Sequence, residues 1–542
     1  MNAVVWQTLK KHRAAFIILV IFTMISTSLI TGNTYLEGKL LDSLVYSRNP
    51  RLFVLFFGLM LGLSILRLGI SFFTSHIQIL TKQKTVLELN RKIIFRLFTK
   101  NTLSILKWSP TTLSARINDD VTEIVSFFSD TVVRLCSVIV STLTITAYVL
   151  RANAEIFTIM VVFLPVYFLI YVVFHQKIYR VSLEIKGKQN DYYSARNDFI
   201  GRYVEIKGAE NLPSEVARLD QVGRNLFKTF TKSFWIHYWM SIWQIVMQLA
   251  FQTLFFVIGG LAVLRGSITI GFFAIILQYF GQLLNSVDQI FGIAIGAEAY
   301  RASLARMEQI LDMADDQTGM QDVARIHRID VDAFNIERFE EKSDAPELFY
   351  SRDLSCSFKT PGLYVISGDN GVGKSTFVRT MTGIYQPELK GNISINGIKM
   401  RQIDMRTLRK KEIGFSFQDV PSPHMTVREY LAGMTQNDPL SMVKRSPLFA
   451  KVYDSDVFNL RNIYDEKVDV LSSGELQLVR LLAAFGKENA SMYILDEPTA
   501  NIYPEIRAAV IGLLKELAKS KLVIAITHDD HLLHIGTPIV MQ

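Results

Sequence analysis

The sequence predicts a multi-domain chain, with a bundle of six transmembrane helices followed by an α/β domain. Within its 542 residues, apolar runs that approach or exceed the roughly 20 residues needed to cross a bilayer are confined to the N-terminal part. From residue 329 onward, short β-rich runs alternate with helical patterns, which is typical of α/β domains with a parallel sheet. Hydrophobic residues make up 49% of the chain and charged residues 20%, which fits a lipid-facing part joined to a water-facing part.

Six apolar runs define the membrane part. They cover residues 14–30, 52–77, 132–150, 156–174, 238–264 and 268–295. Few charges lie inside them, so they predict helices rather than barrel strands, whose side chains alternate at period two. The first run has no small-residue cleavage pattern after it and is interpreted as a retained helix, not a signal peptide. We therefore predict a membrane domain over residues 1–310, a linker over 311–328 and a second domain over 329–542.

The connections between the runs predict the topology. Stretches of roughly 50–60 residues separate the second run from the third and the fourth from the fifth, whereas the other connections are short. Basic residues before the first run and in these stretches are Lys10, Lys11, Arg13, Lys82, Lys84, Arg91, Lys92, Arg96, Lys100, Lys177, Arg180, Lys186, Lys188, Arg196 and Arg202. The positive-inside rule then places the N-terminus and both long stretches in the cytoplasm. Four basic residues on the predicted outer side weaken this bias: Lys39, Arg48, Arg51 and Arg151.

Charge and cysteine content argue against a nucleic-acid-binding protein and against a metal site formed by cysteines. The formal net charge is +8, but the basic residues flank apolar runs and form no single basic face, so no nucleic-acid partner is predicted. Cys136 and Cys356 lie far apart, without metal-ligand spacing, and are interpreted as structural thiols.

A glycine-rich loop in the second domain has the spacing of a P-loop. Gly368 is followed by four residues and then by Gly373, Lys374 and Ser375, after a predicted strand over 363–367 and before a predicted helix. Glycines let backbone N–H groups surround phosphate oxygens, and the helix N-terminus adds a favourable dipole. Lys374 is predicted to reach the β- and γ-phosphates, and Ser375 to bind Mg²⁺. The predicted nucleotide ligands in this loop are Gly368, Asn370, Gly371, Gly373, Lys374, Ser375 and Thr376.

Two further patterns indicate nucleotide chemistry when they are considered together with the P-loop. An apolar strand over 492–495 ends in Asp496 and Glu497, and carboxylates at strand ends face the ligand crevice of an α/β sheet. We predict that Asp496 acts on Mg²⁺ and that Glu497 orients or deprotonates the attacking water. Ser472, followed by Gly474, begins a long helical pattern and is a natural N-cap. By itself, a strand that ends in two carboxylates is equally well explained as a surface turn, and a simple capped helix is a plausible explanation of the second pattern.

Taken in order, the motifs of the second domain resemble the nucleotide-binding domain of ABC transporters. They are Walker A (368–376), the Q-loop residue Gln418, the signature (471–475), Walker B (492–496), the adjacent Glu497, the D-loop (500–503) and the H-loop residue His528. The resemblance covers residue 329 to the end, and it identifies the domain as a P-loop ATPase. The membrane part resembles exporter-type half-transporters in its layout. Segments 381–387 and 527–531 resemble bacterial exporters of cyclic peptides and siderophore peptides.

The resemblance implies a cofactor set and a partner. ATP with Mg²⁺ is expected between Walker A of one copy and the signature of a second copy, or of a homologous half-transporter, so that Ser472 and Gly474 contact the partner's nucleotide. Gln418 is expected to sense Mg²⁺ and the membrane domain, and His528 to contact the γ-phosphate. An aromatic residue upstream of Walker A is expected to stack on adenine, with Phe339 as the candidate and Tyr350 as the second choice.

Three positions depart from the family pattern. Ser473 and Glu475 replace a Gly and a Gln of the signature, and Tyr503 replaces the Asp that usually ends the D-loop. A serine side chain and an added negative charge near the γ-phosphate are expected to weaken closure around ATP. We expect a working ATPase that turns over slowly, and a heterodimer with unequal sites stays open.

Polar residues in the last two apolar runs repeat at helical spacing. They are Gln244, Gln248 and Gln252 in the fifth run, and Gln278, Gln282, Asn285, Asp288 and Gln289 in the sixth. The amides of each run form one stripe, which is expected to face a solute cavity or to join helices by hydrogen bonds. Both interpretations stay open. Arg67 in the second run is a functional candidate by its charge, or else a snorkelling residue or a partner of Asp288.

The combined prediction is an ATP-driven exporter of a peptide-like or amphipathic natural product in a bacterial inner membrane, with its ATPase domain in the cytoplasm. Its expected partners are membrane lipid, a second copy or homologous half-transporter, and the solute. One alternative is a lipid flippase or a siderophore importer with an exporter-like fold. Another is an ATP-gated channel or a regulatory membrane ATPase.

Overall fold

The chain divides into two compact units. The computed structural model describes residues 2–336, 350–386, 391–418, 420–435 and 438–541. The first unit consists of Met1–Phe95 and Ser114–Leu311, and the second of Arg96–Leu113 and Asp312–Gln542. Residues 96–113, which come from the first long connection of the membrane part, therefore cluster with the second unit.

The part of the chain before residue 312 is helical, and most of its helices belong to the first unit. The helices before residue 312 are α1 (Asn2–Lys11), α2 (Arg13–Asp42), α3 (Pro50–Leu97), α4 (Thr102–Leu106), α5 (Pro110–Ala152), α6 (Ala154–Gly201), α7 (Tyr203–Ala209), α8 (Leu212–Leu264) and α9 (Ile270–Leu311). Each predicted apolar run lies in one of α2, α3, α5, α6, α8 and α9, although α9 begins two residues later than predicted. The six-helix layout is thus confirmed. The two long connections are mostly continuations of these helices.

Among the described residues, five helical stretches are long and apolar enough to cross a membrane. They are Arg13–Ser47, Pro50–Leu97, Leu113–Ala152, Leu212–Leu264 and Ile270–Leu311. The fourth predicted run lies in α6, several of whose side chains lie outside the described residues.

Helix α2 buries hydroxyl groups and exposes apolar ones. Apart from Leu19, its buried residues are Thr23, Thr27, Thr31, Thr34 and Gly38. The large apolar side chains of Ile17, Ile21 and Met24 are exposed. This distribution is typical of helices in lipid, where small residues allow close approach and apolar surface gains nothing by burial.

The second unit contains two sheets. Its strands are β1 (Arg328–Ile336), β2 (Tyr350–Lys359), β3 (Gly362–Gly368), β4 (Asn392–Ile395), β5 (Ile398–Lys399), β6 (Ile413–Ser416), β7 (Met492–Asp496), β8 (Leu522–Ile526) and β9 (Thr537–Met541). A parallel sheet has the order β6-β7-β8-β3-β9, and an antiparallel sheet has the order β2-β1-β4-β5. The predicted α/β fold with a parallel sheet is confirmed. The predicted strand at 393–395 is β4, which belongs to the antiparallel sheet.

Helices and two apolar cores cover the parallel sheet. The helices of this part are α10 (Lys374–Met381), α11 (Met405–Glu412), α12 (Val427–Met434), α13 (Pro439–Arg445), α14 (Pro447–Tyr453), α15 (Leu460–Ile463), α16 (Ser473–Phe485), α17 (Pro504–Leu517) and α18 (Asp530–Ile535). Side chains of β7 alternate between the cores, with Tyr493 and Leu495 in one and Met492 and Ile494 in the other. Such alternation follows from the two-residue period of a strand that is buried on both faces.

Residues 99–101 pair with the start of the C-terminal part of the second unit. The backbone N–H of Asn101 donates to Ala314 (2.8 Å), and that of Asp316 donates to Thr99 (2.9 Å). Lys100, between them, forms an ion pair of 2.9 Å with Asp315. These contacts explain why this segment clusters with the second unit.

Candidate nucleotide-binding site

The parallel sheet brings three loops to one edge. Strands β7, β8 and β3 are neighbours, and Asp496, Ile526 and Ile366 lie at the same level across them. The P-loop follows β3, Glu497 follows β7, and His528 comes shortly after β8. Carboxyl ends of parallel strands form the ligand crevice of an α/β fold. Residues 154 positions apart in the sequence, Lys374 and His528, therefore lie at one site.

The P-loop has a backbone that glycine favours. Gly371 and Gly373 have φ angles of +86° and +94°, in the left-handed region where a Cβ is strained. Gly373 is the N-cap of α10, which begins at Lys374. The loop thus turns directly into a helix N-terminus, where phosphate groups bind favourably.

Lys374 is held at the centre of the site. Its side chain is buried, with 9% exposure, and Nζ donates to the carbonyl oxygens of Gly368 (2.6 Å) and Asp369 (3.1 Å). Nζ also lies 3.2 Å from Nε2 of His528. An ammonium group has no acceptor, so the imidazole nitrogen is the acceptor in this contact. The lysine and histidine predicted for phosphate binding therefore meet.

Hydroxyl and carboxylate oxygens meet beside the lysine. Ser375 Oγ donates to Oδ2 of Asp496 over 3.2 Å, and Asp496 is buried. Oxygen donors of this kind are the ligands that Mg²⁺ prefers. The third predicted metal residue, Gln418, has an exposed side chain just after β6. The paired Ser375 and Asp496 fit Mg²⁺, and the metal role of all three residues stays a prediction.

Glu497 has an unusual backbone conformation. Its φ is +48°, which is uncommon for a residue other than glycine. Its N–H donates to Ile526 (2.8 Å), and its carboxylate accepts from the Thr527 hydroxyl (3.3 Å). Burial raises the pKa of Glu497, and the charge of His528 and the hydrogen bond from Thr527 oppose that rise. A carboxyl with a raised pKa beside a phosphate site suits the acceptance of a proton.

The N-terminus of α16 is closed by a capping box. Ser472 Oγ accepts from the N–H of Glu475 (3.3 Å). The Glu475 carboxylate in turn accepts from the Ser472 N–H (2.9 Å) and hydroxyl (2.7 Å). The glutamate that departs from the family signature therefore engages the signature serine.

Three contacts near the site were not predicted from the sequence. Arg480 donates to the backbone carbonyls of the Q-loop residue Gln418 and of nearby Val420. Gln477 donates to the carbonyl of Glu497 (3.0 Å). Both polar residues interrupt the apolar helix α16, and this interruption is the sequence signal that points to them.

The third contact is a network around Asp529. Its carboxylate accepts from the Thr499 hydroxyl (2.8 Å) and from Arg507 on α17 (2.8 Å). Asp529 also caps α18 by accepting from the His531 N–H (3.0 Å). The residue after His528 is thereby tied to the loop after Glu497, and no local sequence pattern indicates this.

The other predicted residues have varied surroundings. Phe339 lies outside the described residues, as does the side chain of Tyr350. Gln244 donates to Asp288 (3.1 Å), Gln278 to Glu37 (2.8 Å) and Gln282 to Thr34 (2.8 Å). Gln248, Asn285 and Arg67 are exposed, whereas Gln252 and Gln289 are half-buried. Their role in solute binding stays a prediction.

Comparison with known families accounts for both units. The family model of the ABC transporter transmembrane region matches residues 16–287, and the ABC transporter model matches residues 351–500. The chain belongs to the ABC transporter family. As an ABC transporter it is an ATP-hydrolysing, multi-pass membrane protein, which confirms the recognition made from the motifs.

A solved structure confirms the exporter type of this ABC transporter fold. A bacterial Atm1-family ABC exporter with ATP bound matches with a TM-score of 0.82 at 16% identity, over 98% of this chain and 94% of that chain. The predicted order of a helical membrane domain and an α/β ATPase domain is the order of that exporter.

The relatives of this ABC transporter are named for different transported substances. The ATP-dependent lipid A-core flippase of Syntrophus aciditrophicus is 22% identical over 96% of this chain and 86% of its own length. The subtilin transport ATP-binding protein SpaT of Bacillus subtilis is 31% identical, over 30% of this chain and 27% of its own length. The β-(1→2)glucan export protein NdvA of Bartonella bacilliformis is 22% identical, over 70% of this chain and 63% of its own length. Similarity therefore establishes transport but does not select a cargo.

Proposed function

We propose that two copies of this chain, or this chain and a homologous half-transporter, form a pump that exports a peptide-like or amphipathic solute across a bacterial inner membrane. The observation that carries the proposal is the convergence of Lys374, Asp496, Glu497 and His528 at one sheet edge of a chain that also has six long helices, each containing one of the predicted apolar runs. ATP hydrolysis and a membrane pathway in one chain suit active transport.

Each residue of the site would have its own role in the binding or hydrolysis of ATP. Lys374 would neutralise the β- and γ-phosphates, and the helix N-terminus at Gly373 would add its dipole. Mg²⁺ would be held by Ser375, Asp496 and Gln418, and it supplies positive charge to the phosphate oxygens. Glu497 would orient the attacking water and accept its proton, while His528 would contact the γ-phosphate.

Closure of the site would require a partner. The N-terminus of α16 contains the exposed Ser472 and the buried Gly474, whose predicted role is to contact nucleotide held by another copy. The exposed Tyr503, with 51% exposure, lies in the D-loop beside it. A purified monomer with full ATPase activity that does not depend on protein concentration would refute the dimer.

A polar route for the solute is supported by a cavity in the first unit. Helices α5 and α9 line a half-open cavity of about 190 Å³, whose lining residues are Glu123, Ser126, Phe127, Asp130, Thr131, Arg134, Gly292, Ile293 and Gly296. Gln78 of α3 donates a hydrogen bond to Asp130 (3.0 Å). The Arg134 guanidinium lies so close to Gly292 that a Cβ at this position would clash with it. Carboxylates and a guanidinium in one cavity favour a solute with hydrogen-bonding or charged groups over a bare lipid tail. The cavity contains none of the amide-stripe residues, but Gly292 lies one helical turn beyond Asp288.

The amide stripes support this route only in part. Gln244, Gln278 and Gln282 are satisfied by neighbouring side chains, as helix-joining amides would be. Gln248 and Asn285 are exposed, as Gln278 is, but among the described residues they have no such side-chain hydrogen bond, and these two are the amides that we propose to contact solute.

Transport in proteoliposomes tests the function. Uptake of a fluorescent cyclic peptide into inside-out vesicles, against its gradient and dependent on ATP, is expected, and the Glu497→Gln variant should abolish it. Translocation of labelled phosphatidylethanolamine instead would support the flippase alternative, which the similarity to a lipid A-core flippase favours. Movement of a ferric siderophore in the opposite direction would support import. Flux that only follows the gradient would indicate a channel, and ATP hydrolysis without movement of any probe would indicate a regulatory ATPase.

A further inference from the structure

Gln477 is a buried amide in an otherwise apolar part of α16. Its exposure is 6%, and the neighbouring Leu478 and Leu481 are almost fully buried. The side chain uses Nε2 to donate to the backbone carbonyl of Glu497 over 3.0 Å. Burying an amide in such a position costs desolvation free energy unless the amide makes a hydrogen bond. The bond therefore fixes a specific relation between α16 and Glu497.

The backbone of Glu497 needs external support. A left-handed conformation costs a residue with a Cβ about 1–2 kcal/mol and persists only where the surroundings impose it. Besides Gln477, its carbonyl accepts from the N–H of Ala500 (3.1 Å), and its own N–H donates to Ile526 (2.8 Å). Of these contacts, the one with Gln477 alone comes from α16.

A second contact joins the same face of α16 to the same loop. A Cβ placed on Gly474 would lie 2.5 Å from the carbonyl oxygen of Asn501, so only glycine fits there. Asn501 also has a positive φ, of +60°. Gly474 and Gln477 are three residues apart and thus lie on one helix face. The first two turns of α16 therefore pack against both strained residues of the 497–501 loop.

We propose that Gln477 is a positioning residue that couples two ATP sites through the backbone of Glu497. The inference rests on the proposed dimer, in which the N-terminus of α16 contacts the ATP of the partner. A shift of α16 on contact with that ATP would move the Gln477 amide, and the amide would move the carbonyl of Glu497. The carboxylate of one site is thereby aligned only when the other site is occupied.

The variant Gln477→Met tests the coupling, because Met keeps the side-chain length but has no donor. In the full-length protein in lipid nanodiscs, we expect kcat for ATP to fall about tenfold, as for a misplaced catalytic group. The affinity for a fluorescent ATP analogue should change less than about twofold, since the P-loop is untouched. The Hill coefficient for ATP should approach one. Gln402→Met is the matched control, since Gln402 has an exposed side chain in the same unit, and it should match the parent.

A second variant separates positioning from stability. Gln477→Glu has the same shape, and its carboxyl donates to the Glu497 carbonyl only when protonated. Its kcat relative to the parent should rise as the pH falls from about 8 to about 6, because burial raises the pKa of such a carboxyl. The corresponding ratio for Gln477→Met should not change with pH. A residue that only stabilises the fold would instead change the thermal midpoint without this pH profile.

The outcomes distinguish this inference from the proposed function. Unchanged kcat and Hill coefficient in Gln477→Met would overturn the positioning role, whatever the cargo. A parent enzyme with a Hill coefficient of one and activity independent of concentration would overturn the dimer, and with it the coupling between sites. If Gln477→Met does not fold, the pH profile of Gln477→Glu decides, and a flat profile would overturn the proposal.

Discussion

Ser375 Oγ donates a hydrogen bond of 3.2 Å to Oδ2 of Asp496 and so joins the start of α10 to the end of β7. The two residues are 121 positions apart, yet both belong to motifs that the sequence had marked for Mg²⁺. The contact brings the hydroxyl and the carboxylate together, and their joint binding of one Mg²⁺ ion stays a prediction. It also gives the first test of the site.

Asp496→Asn should raise the Mg²⁺ concentration needed for half-maximal ATPase activity about 10- to 100-fold, which is typical when a supporting carboxylate is lost. The Asn side chain has nearly the same shape, so the fold should be retained. Titration of activity with Mg²⁺ measures the effect, with the exposed Asp456→Asn as control. Equal Mg²⁺ dependence in variant and parent would remove Asp496 from the metal site.

Glu497→Gln should bind ATP with nearly unchanged affinity but lose hydrolysis by about a hundredfold or more, because the amide cannot accept the proton of the attacking water. Lys374→Ala should instead weaken ATP binding, since it removes the charge that faces the phosphates. Equilibrium binding and steady-state turnover, measured together, separate the two effects. The exposed Glu505→Gln is the control, and full turnover in Glu497→Gln would end the role given to Glu497.

Glu475→Gln, alone or with Ser473→Gly, should raise ATP turnover several-fold. The carboxylate now engages the Ser472 hydroxyl at 2.7 Å and puts a negative charge where the partner's γ-phosphate is expected. Gln at the same position also completes a capping box, so the thermal midpoint should hardly change. Unaltered turnover would mean that the departures from the signature are tolerated.

The two interpretations of the amide stripes predict different effects of Leu substitutions. Gln278→Leu removes a hydrogen bond to Glu37 and should lower the stability of the membrane part by about 1 kcal/mol. Asn285→Leu, at an exposed position, should leave the thermal midpoint and basal ATPase intact but abolish stimulation by the transported solute. If Asn285→Leu keeps full stimulation, the stripe joins helices and does not contact solute.

Arg507→Met should destabilise the second unit by about 2 kcal/mol near neutral pH, because it leaves the buried Asp529 carboxylate without its charged partner. Burial alone would raise the pKa of Asp529, but hydrogen bonds from Arg507 and Thr499 outweigh it and hold the pKa below its usual range. A carboxyl with a lowered pKa stabilises the fold above the pKa of the unfolded chain and loses this effect as the pH falls through the folded value. The stability difference between Arg507→Met and the parent should therefore disappear in acid. Thermal unfolding at several pH values measures it, and the exposed Arg401→Met should show no such difference. A difference that persists in acid would contradict the role of Asp529.

The sequence by itself determined the features that depend on local spacing. Apolar runs of bilayer length predicted the long helices, and the spacing of Gly368, Gly373 and Lys374 predicted the P-loop. Both features depend on local backbone geometry, which requires the same residue spacing in any chain. Strand ends marked Asp496, Glu497 and His528, since parallel strands share one ligand edge.

Only the tertiary structure decided the contacts between distant residues. The bond from Gln477 to Glu497 joins residues 20 positions apart, and that from Gln278 to Glu37 joins residues 241 apart. In the same way, β4 looked like any other strand of the α/β domain but pairs in the antiparallel sheet. The physical reason is that a polar side chain in an apolar helix shows in the sequence only that a partner is needed. Which group becomes that partner depends on how the elements pack, and no local period encodes the packing.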